Sequence, residues 1–114
     1  ITAVGVQGHS AYPHRAKNPL SALVKLLARL DAEPLDRGTQ HFDPSTLAIT
    51  TIDTGNSVSN IIPARASAAV NIRFNDMHSG DTLSSWLRSE AEAVAEATGV
   101  EIALRVSVAG ESFL

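Results

Sequence analysis

RASAAVNIRF, residues 65–74, alternates without a break. Ala66, Ala68, Val70, Ile72 and Phe74 fall on one side, and Arg65, Ser67, Ala69, Asn71 and Arg73 on the other. Successive side chains of a strand point to opposite faces, so this stretch predicts a half-buried strand with Arg73 on its open face.

The segments on either side follow from it. Residues 46–53, TLAITTID, are β-branched and read as another strand, separated from the first by the turn formers of TGNSVSN at 54–60. C-terminal to the alternating stretch, residues 79–98 predict a helix starting at Ser79 or Asp81. Leu83, Trp86, Leu87, Ala91 and Val94 form its apolar stripe, and Gly99 is placed just past its end. Residues 100–108 alternate again and predict a strand, with Val100, Ile102, Leu104, Val106 and Val108 on one face.

At the other end, residues 1–6, ITAVGV, read as a short strand. Asn18 and Pro19 mark a helix start, as N-cap and first helical residue. Leu20, Leu23, Val24, Leu27 and Leu30 give that helix an apolar face, and Pro34 ends it or lies just beyond. Residues 35–45 are a loop. The order β-α-β-β-α-β predicts an α+β, ferredoxin-like fold: an antiparallel sheet with two helices on one face. That fold hosts many functions and names none.

Composition narrows the field. The chain has 114 residues, enough for one domain with one core. Hydrophobic residues make up 44% and aromatic ones 4%, so Leu, Val, Ile and Ala build most of the core. A net charge of −3 argues against a nucleic-acid partner. No apolar run approaches the roughly 20 residues of a membrane helix. There is no cysteine, which excludes disulfides, thiolate metal sites and a cysteine nucleophile. The first residue is Ile, with no basic segment before it, which suggests a piece of a longer chain without a secretory signal. Charge is uneven: Arg15, Lys17, Lys25 and Arg29 precede the first acid, Asp31. That excess fits either a bound anion or a solvated face.

The candidate chemistry gathers in GVQGHSAYPH, residues 5–14. His9 and His14 lack the spacing and the neighbouring carboxylates of a zinc site, so His41, His78 or distant acids would have to converge on them. No nucleophile elbow and no phosphate-binding glycine loop is present. His9 remains as a hydrogen-bond donor to a developing oxyanion, on a turn stiffened by Tyr12 and Pro13. The competing reading has His9 and Tyr12 packing the turn. Arg73 can bind a carboxylate bidentately or join a surface ion pair. Asn60 can bond a ligand or close its own turn.

GVQGHSAYPHRAKNP at 5–19, TGNSVSNIIPARA at 54–66 and NIRF at 71–74 together resemble the lid and dimerisation domain of the di-zinc aminoacylase and carboxypeptidase family. The resemblance covers the whole chain. Its most specific part is the run H-x-A-Y-P-H-x-A-x-N-P, which is similar to the branch that hydrolyses N-succinyl-L,L-2,6-diaminopimelate to succinate and L,L-diaminopimelate. AGESFL at 109–114 resembles the return into a catalytic domain.

The resemblance implies that residues 1–114 are a dimerisation (lid) domain from a larger metallohydrolase. Two zinc ions would be held by a catalytic domain outside this chain and none within it, so the domain alone would be inactive. It implies a cytoplasmic homodimer formed through this domain, acting on a small molecule in lysine and diaminopimelate synthesis, with no nucleic acid and no membrane. It places His9 as a catalytic residue lent to the partner's active site, where it stabilises the tetrahedral intermediate. Tyr12, Ser59, Asn60 and Arg73 are placed at the substrate, Arg73 on a carboxylate. The family often has Asn at the position of Ser59, where a backbone contact would survive the change. Two other readings remain at this point: the lid of a related deacylase such as acetylornithine deacetylase, and a ferredoxin-like regulatory module that binds a small ligand.

Overall fold

Arg65–Arg73 is the sheet's longest strand. The computed structural model of the chain describes residues 1–12, 14 and 16–109. In chain order the elements are β1 (Thr2–Val4), β2 (Gly8–His9), α1 (Pro19–Asp31), β3 (Thr46–Asp53), β4 (Ile61–Ile62), β5 (Arg65–Arg73), α2 (Gly80–Thr98) and β6 (Glu101–Ala103). The main sheet has the order β3-β5-β1-β6, antiparallel at every described pairing. The α+β class, the antiparallel sheet and the two helices agree with the expectation. The element order gains two short strands, β2 and β4, which pair with each other as a separate ribbon.

The alternation of β5 decides which face is covered. Ala66 and Ala68 are buried, and Val70 and Ile72 pack at the edge of the same core. Beside them lie Ala3 of β1, Leu47 of β3 and Ile102 of β6. The sheet's contribution beneath the helices is mostly alanine, and α1 fills the space above it with Leu23, Leu26, Leu27 and Leu30. Small residues below and leucines above give dense packing without aromatic rings, in keeping with the composition.

Both helices are set by their caps. The Asn18 side-chain oxygen accepts from the amides of Leu20 and Ser21, at 3.0 and 3.4 Å, and Pro19 occupies the first turn. Ser79 and Thr82 form a reciprocal capping box at the start of α2, and Gly99 closes it with φ 72°, a left-handed conformation that suits glycine. The buried face of α1 differs from the expected one: Val24 is 59% exposed, while Ala22 and Leu26 are buried. At 100° per residue the stripe through Leu23, Leu26, Leu27 and Leu30 leaves Val24 outside it. Replacing Asn18 with Ala is expected to cost about 1 kcal/mol, read as a fall in melting temperature. Asn18→Ser should cost much less.

Two strands are shorter than the sequence suggests. The strand expected at 1–6 ends at Val4 because the chain leaves the sheet at Gly5. A side chain there would place its Cβ 2.0 Å from the Lys17 carbonyl oxygen. Among the described residues the strand expected at 100–108 is paired only over Glu101–Ala103, opposite the short β1.

Candidate functional site

The excursion that leaves at Gly5 carries His9. Its base is pinned twice: the Gly5 amide donates to the Ala64 carbonyl at 2.8 Å, and Val6 and Lys17 exchange both backbone bonds at 2.9 and 3.1 Å. Its outer part is held by the β2–β4 ribbon, which pairs Gly8 with Ile62 and His9 with Ile61. The Ser10 amide then donates to the Asn60 carbonyl, and the Tyr12 amide to the His9 carbonyl, both at 2.9 Å. A stretch that fits neither helix nor long strand is thus a closed loop with its backbone tied at both ends. Pro13, expected to stiffen this turn, and Arg15, counted in the basic excess, lie outside the described residues.

Hydrogen bonding fixes the state of the exposed His9 ring. The Ala11 amide donates to Nδ1 at 3.0 Å, so Nδ1 presents a lone pair and the ring proton sits on Nε2. The Asn60 Nδ2 lies 3.3 Å from Nε2. With the ring proton on Nε2 these two donors would face each other, and turning the Asn60 amide over brings its oxygen to the contact as acceptor. His9 therefore offers one directed N–H at the surface. Tyr12 flanks it, with ring centroids 6.0 Å apart.

The loop carrying Asn60 is built from local side-chain bonds. Asn56 accepts from the Val58 amide at 3.0 Å and donates to the Ile61 carbonyl at 2.9 Å. Asp53 accepts from the Gly55 amide and Thr54 from the Asn56 amide. Asn56 builds this site without standing among the expected residues, and its sequence signal is the Gly-Asn pair within a run of turn formers. Ser59 sits exposed beside Asn60 in the turn.

His9, Tyr12, Ser59 and Asn60 are thus brought together within one chain, and Arg73 is not. Arg65 pairs with Val4 near the histidine loop, whereas Arg73 pairs with Thr46 at the far end of β5. Eight residues of strand separate the two ends by roughly 26 Å. Of the basic residues near the N-terminus, Arg29 is engaged away from the histidine loop. The Arg29 Nε lies 2.6 Å from the Glu90 carboxylate, which ties α1 to α2.

The remaining histidines do not build a metal centre. His14 and His41 are exposed, and His78 Nε2 lies 2.8 Å from the Asp36 carboxylate. Asp36 also accepts from the Gly38 amide (2.8 Å), the Ser45 amide (3.1 Å) and the Asn75 side chain (3.0 Å). Burial alone would push this carboxyl up. The bonds from Ser45, Gly38 and His78 outweigh it and hold the carboxyl well below the usual carboxylate range. No three His, Asp or Glu side chains among the described residues could together hold a metal ion. Nor does the donor chemistry fit one, since His9 Nδ1 is engaged by Ala11 and His78 by Asp36.

A family model described as a peptidase dimerisation domain matches residues 1–99. Curated succinyl-diaminopimelate desuccinylases align with the whole chain, at 61% identity for the Ruegeria pomeroyi protein and 66% for one from Cereibacter sphaeroides. The chain spans about 30% of the length of these relatives. Among solved structures, an amidase of the hydantoinase/carbamoylase family from Burkholderia multivorans matches 88% of this chain and 24% of its own, with TM-score 0.68 and 18% identity. The aminopeptidase PepT from Bacillus cereus matches 87% of this chain and 25% of its own, with TM-score 0.64 and 17% identity. At such identities the structures speak for the fold alone.

Proposed function

The chain belongs to the peptidase dimerisation domain family, and from that premise we propose that it is the dimerisation lid of a hydrolase cleaving N-succinyl-L,L-2,6-diaminopimelate to succinate and L,L-diaminopimelate. The names of the 61–66% identical relatives support the substrate. The observation that carries the mechanism is the directed Nε2–H of His9, exposed on a loop tied at both ends.

The scissile amide carbonyl gains negative charge as it becomes tetrahedral. A donor fixed before the reaction stabilises that charge without reorganising at the moment it forms. His9 meets this need, and Asn60 holds the ring until the substrate oxygen replaces it. Tyr12 and the turn at Ser59 border the same space. The two zinc ions expected for the whole enzyme would be held outside this chain, whose residues do not fit them.

The geometry supports a homodimer. β3 is an edge strand of eight residues with Ile49 and Ile52 exposed, and α1 exposes Val24. A long edge with apolar side chains invites strand pairing. In such a dimer His9 serves the partner's active site. With Arg73 at the far end of β5, the two residues of one chain serve different substrate molecules, His9 at the reacting carbonyl in the partner's site and Arg73 at a carboxylate elsewhere. Among the described residues no helix is long and apolar enough to cross a membrane. The cytoplasmic location belongs to the proposed reaction, a step of lysine and diaminopimelate synthesis.

Substrate profiling of the full-length protein tests this reading. The succinyl substrate should be turned over faster than acetylornithine, and the 114-residue chain alone should cleave neither. Faster cleavage of acetylornithine would move the assignment to a related deacylase.

A further inference from the structure

A groove of about 440 Å³ runs between β5 and the segment 105–109. That is far more open space than packing defects leave in a protein interior. Val70, Ile72, Val106 and Val108 line its walls, and Leu83 and Leu87 of α2 also border it.

The sheet register explains the groove. β1 lies between β5 and β6, with Thr2 opposite Ser67 on one side and Ala103 on the other. Ile1 and Ala68 exchange both backbone bonds at 2.9 Å, and among the described residues the ladder on that edge stops there. β5 runs on to Arg73 against β3. Continued backwards from Ile1 one residue at a time, the antiparallel register places five positions opposite residues 69–73 and, on the other side, 105–109. All of these residues line the groove. By the same parity, Val70 and Ile72 turn their backbone groups toward it.

We infer that this groove is a strand acceptor, filled by an extended segment of about five residues that runs on from Ile1 and completes β1. Its second and fourth residues upstream of Ile1 meet the core side, beside the Val70–Val106 and Ile72–Val108 pairs, and are apolar. The others face the open side of the sheet. The relatives are more than three times as long as this chain, so chain outside these residues exists in them to supply it. A covalently joined segment enters in register at little entropic cost, whereas a second copy would have to insert between two walls. The inference also accounts for residues 100–108: they alternate like a strand, but among the described residues only those opposite the short β1 are paired. It is independent of the substrate assignment.

Amide hydrogen exchange on three forms tests it: the chain itself, the chain with Thr-Val-Ser-Val-Thr joined before Ile1, and a control with Asp at the two valine positions. The valine extension should slow exchange at Val70 and Ile72 about tenfold or more and raise the melting temperature by several degrees, and the control should do neither. An unchanged rate with the valine extension overturns the inference. So does strong protection of Val70 and Ile72 in the unextended chain, which would show the groove closed by the chain itself or by a second copy.

Discussion

Replacing His9 with alanine in the full-length protein is expected to lower kcat about 10²–10³-fold, with KM and metal content close to wild type. The size follows from the proposed role. One lost oxyanion donor removes an interaction present only in the transition state, so kcat falls and ground-state binding does not. The fold should tolerate the change, because the ring is exposed and the backbone–backbone bonds that tie the loop at both ends do not involve it; the Ala11 amide and the Asn60 side chain lose a partner, both at the surface. Subunit mixing then locates the donor. His9→Ala mixed one to one with a variant inactive in its catalytic domain should recover about a quarter of wild-type activity, because half the dimers pair an intact site with an intact His9 from the partner. No recovery would place His9 in its own chain's site. Near-normal kcat for His9→Ala would leave His9 with only the packing role.

What the sequence disclosed was whatever depends on local period and local caps. β5 and β3 stand where the alternation and the β-branched run put them, because residues 65–73 and 46–53 carry their own register. Asn18, Ser79 and Gly99 mark the helix ends through bonds made within four residues. The errors came where a partner decides. Val106 and Val108 alternate correctly but have no neighbouring strand among the described residues, and Val24 satisfies helical spacing yet sits off the stripe chosen by the sheet below. The β2–β4 ribbon is two residues long on each side and joins segments about fifty residues apart, so no periodicity could announce it.

The same division runs through the site. His9, Tyr12 and Asn60 were legible as residue types, while the Ala11 amide that settles the histidine's proton is a backbone group and leaves no trace in the sequence. The distance between His9 and Arg73 follows from the antiparallel path of β5. Nothing in a linear reading of the two motifs shows that they lie at opposite ends of one strand.

Asp36→Ala is expected to destabilise the domain by about 3–5 kcal/mol, a fall in melting temperature on the order of 10–20 °C. The residue came from a stretch read only as loop, and its partners lie up to 42 positions away. Its side chain is 3% exposed and gathers bonds from Gly38, Ser45, Asn75 and His78. Asn75, itself fully buried, extends the cluster by donating to the Asp43 carbonyl and accepting from the Met77 amide. Removing the carboxylate strands several donors where water cannot replace it, and the loop 35–45 loses its anchor to the junction of β5 and α2. Asp36→Asn keeps the volume and some acceptors, so its loss should be smaller. The pH dependence has a fixed sign. The folded carboxyl is held below its unfolded value of about 3.9, so its contribution is complete above that value and is lost as pH falls toward the folded one. Denaturation curves from pH 7 to pH 2 should show the wild type losing stability more steeply than Asp36→Ala below about pH 4. Parallel curves would mean that Asp36 binds protons equally well in both states, and the cluster would then stabilise the fold no more through the carboxylate than through the protonated acid.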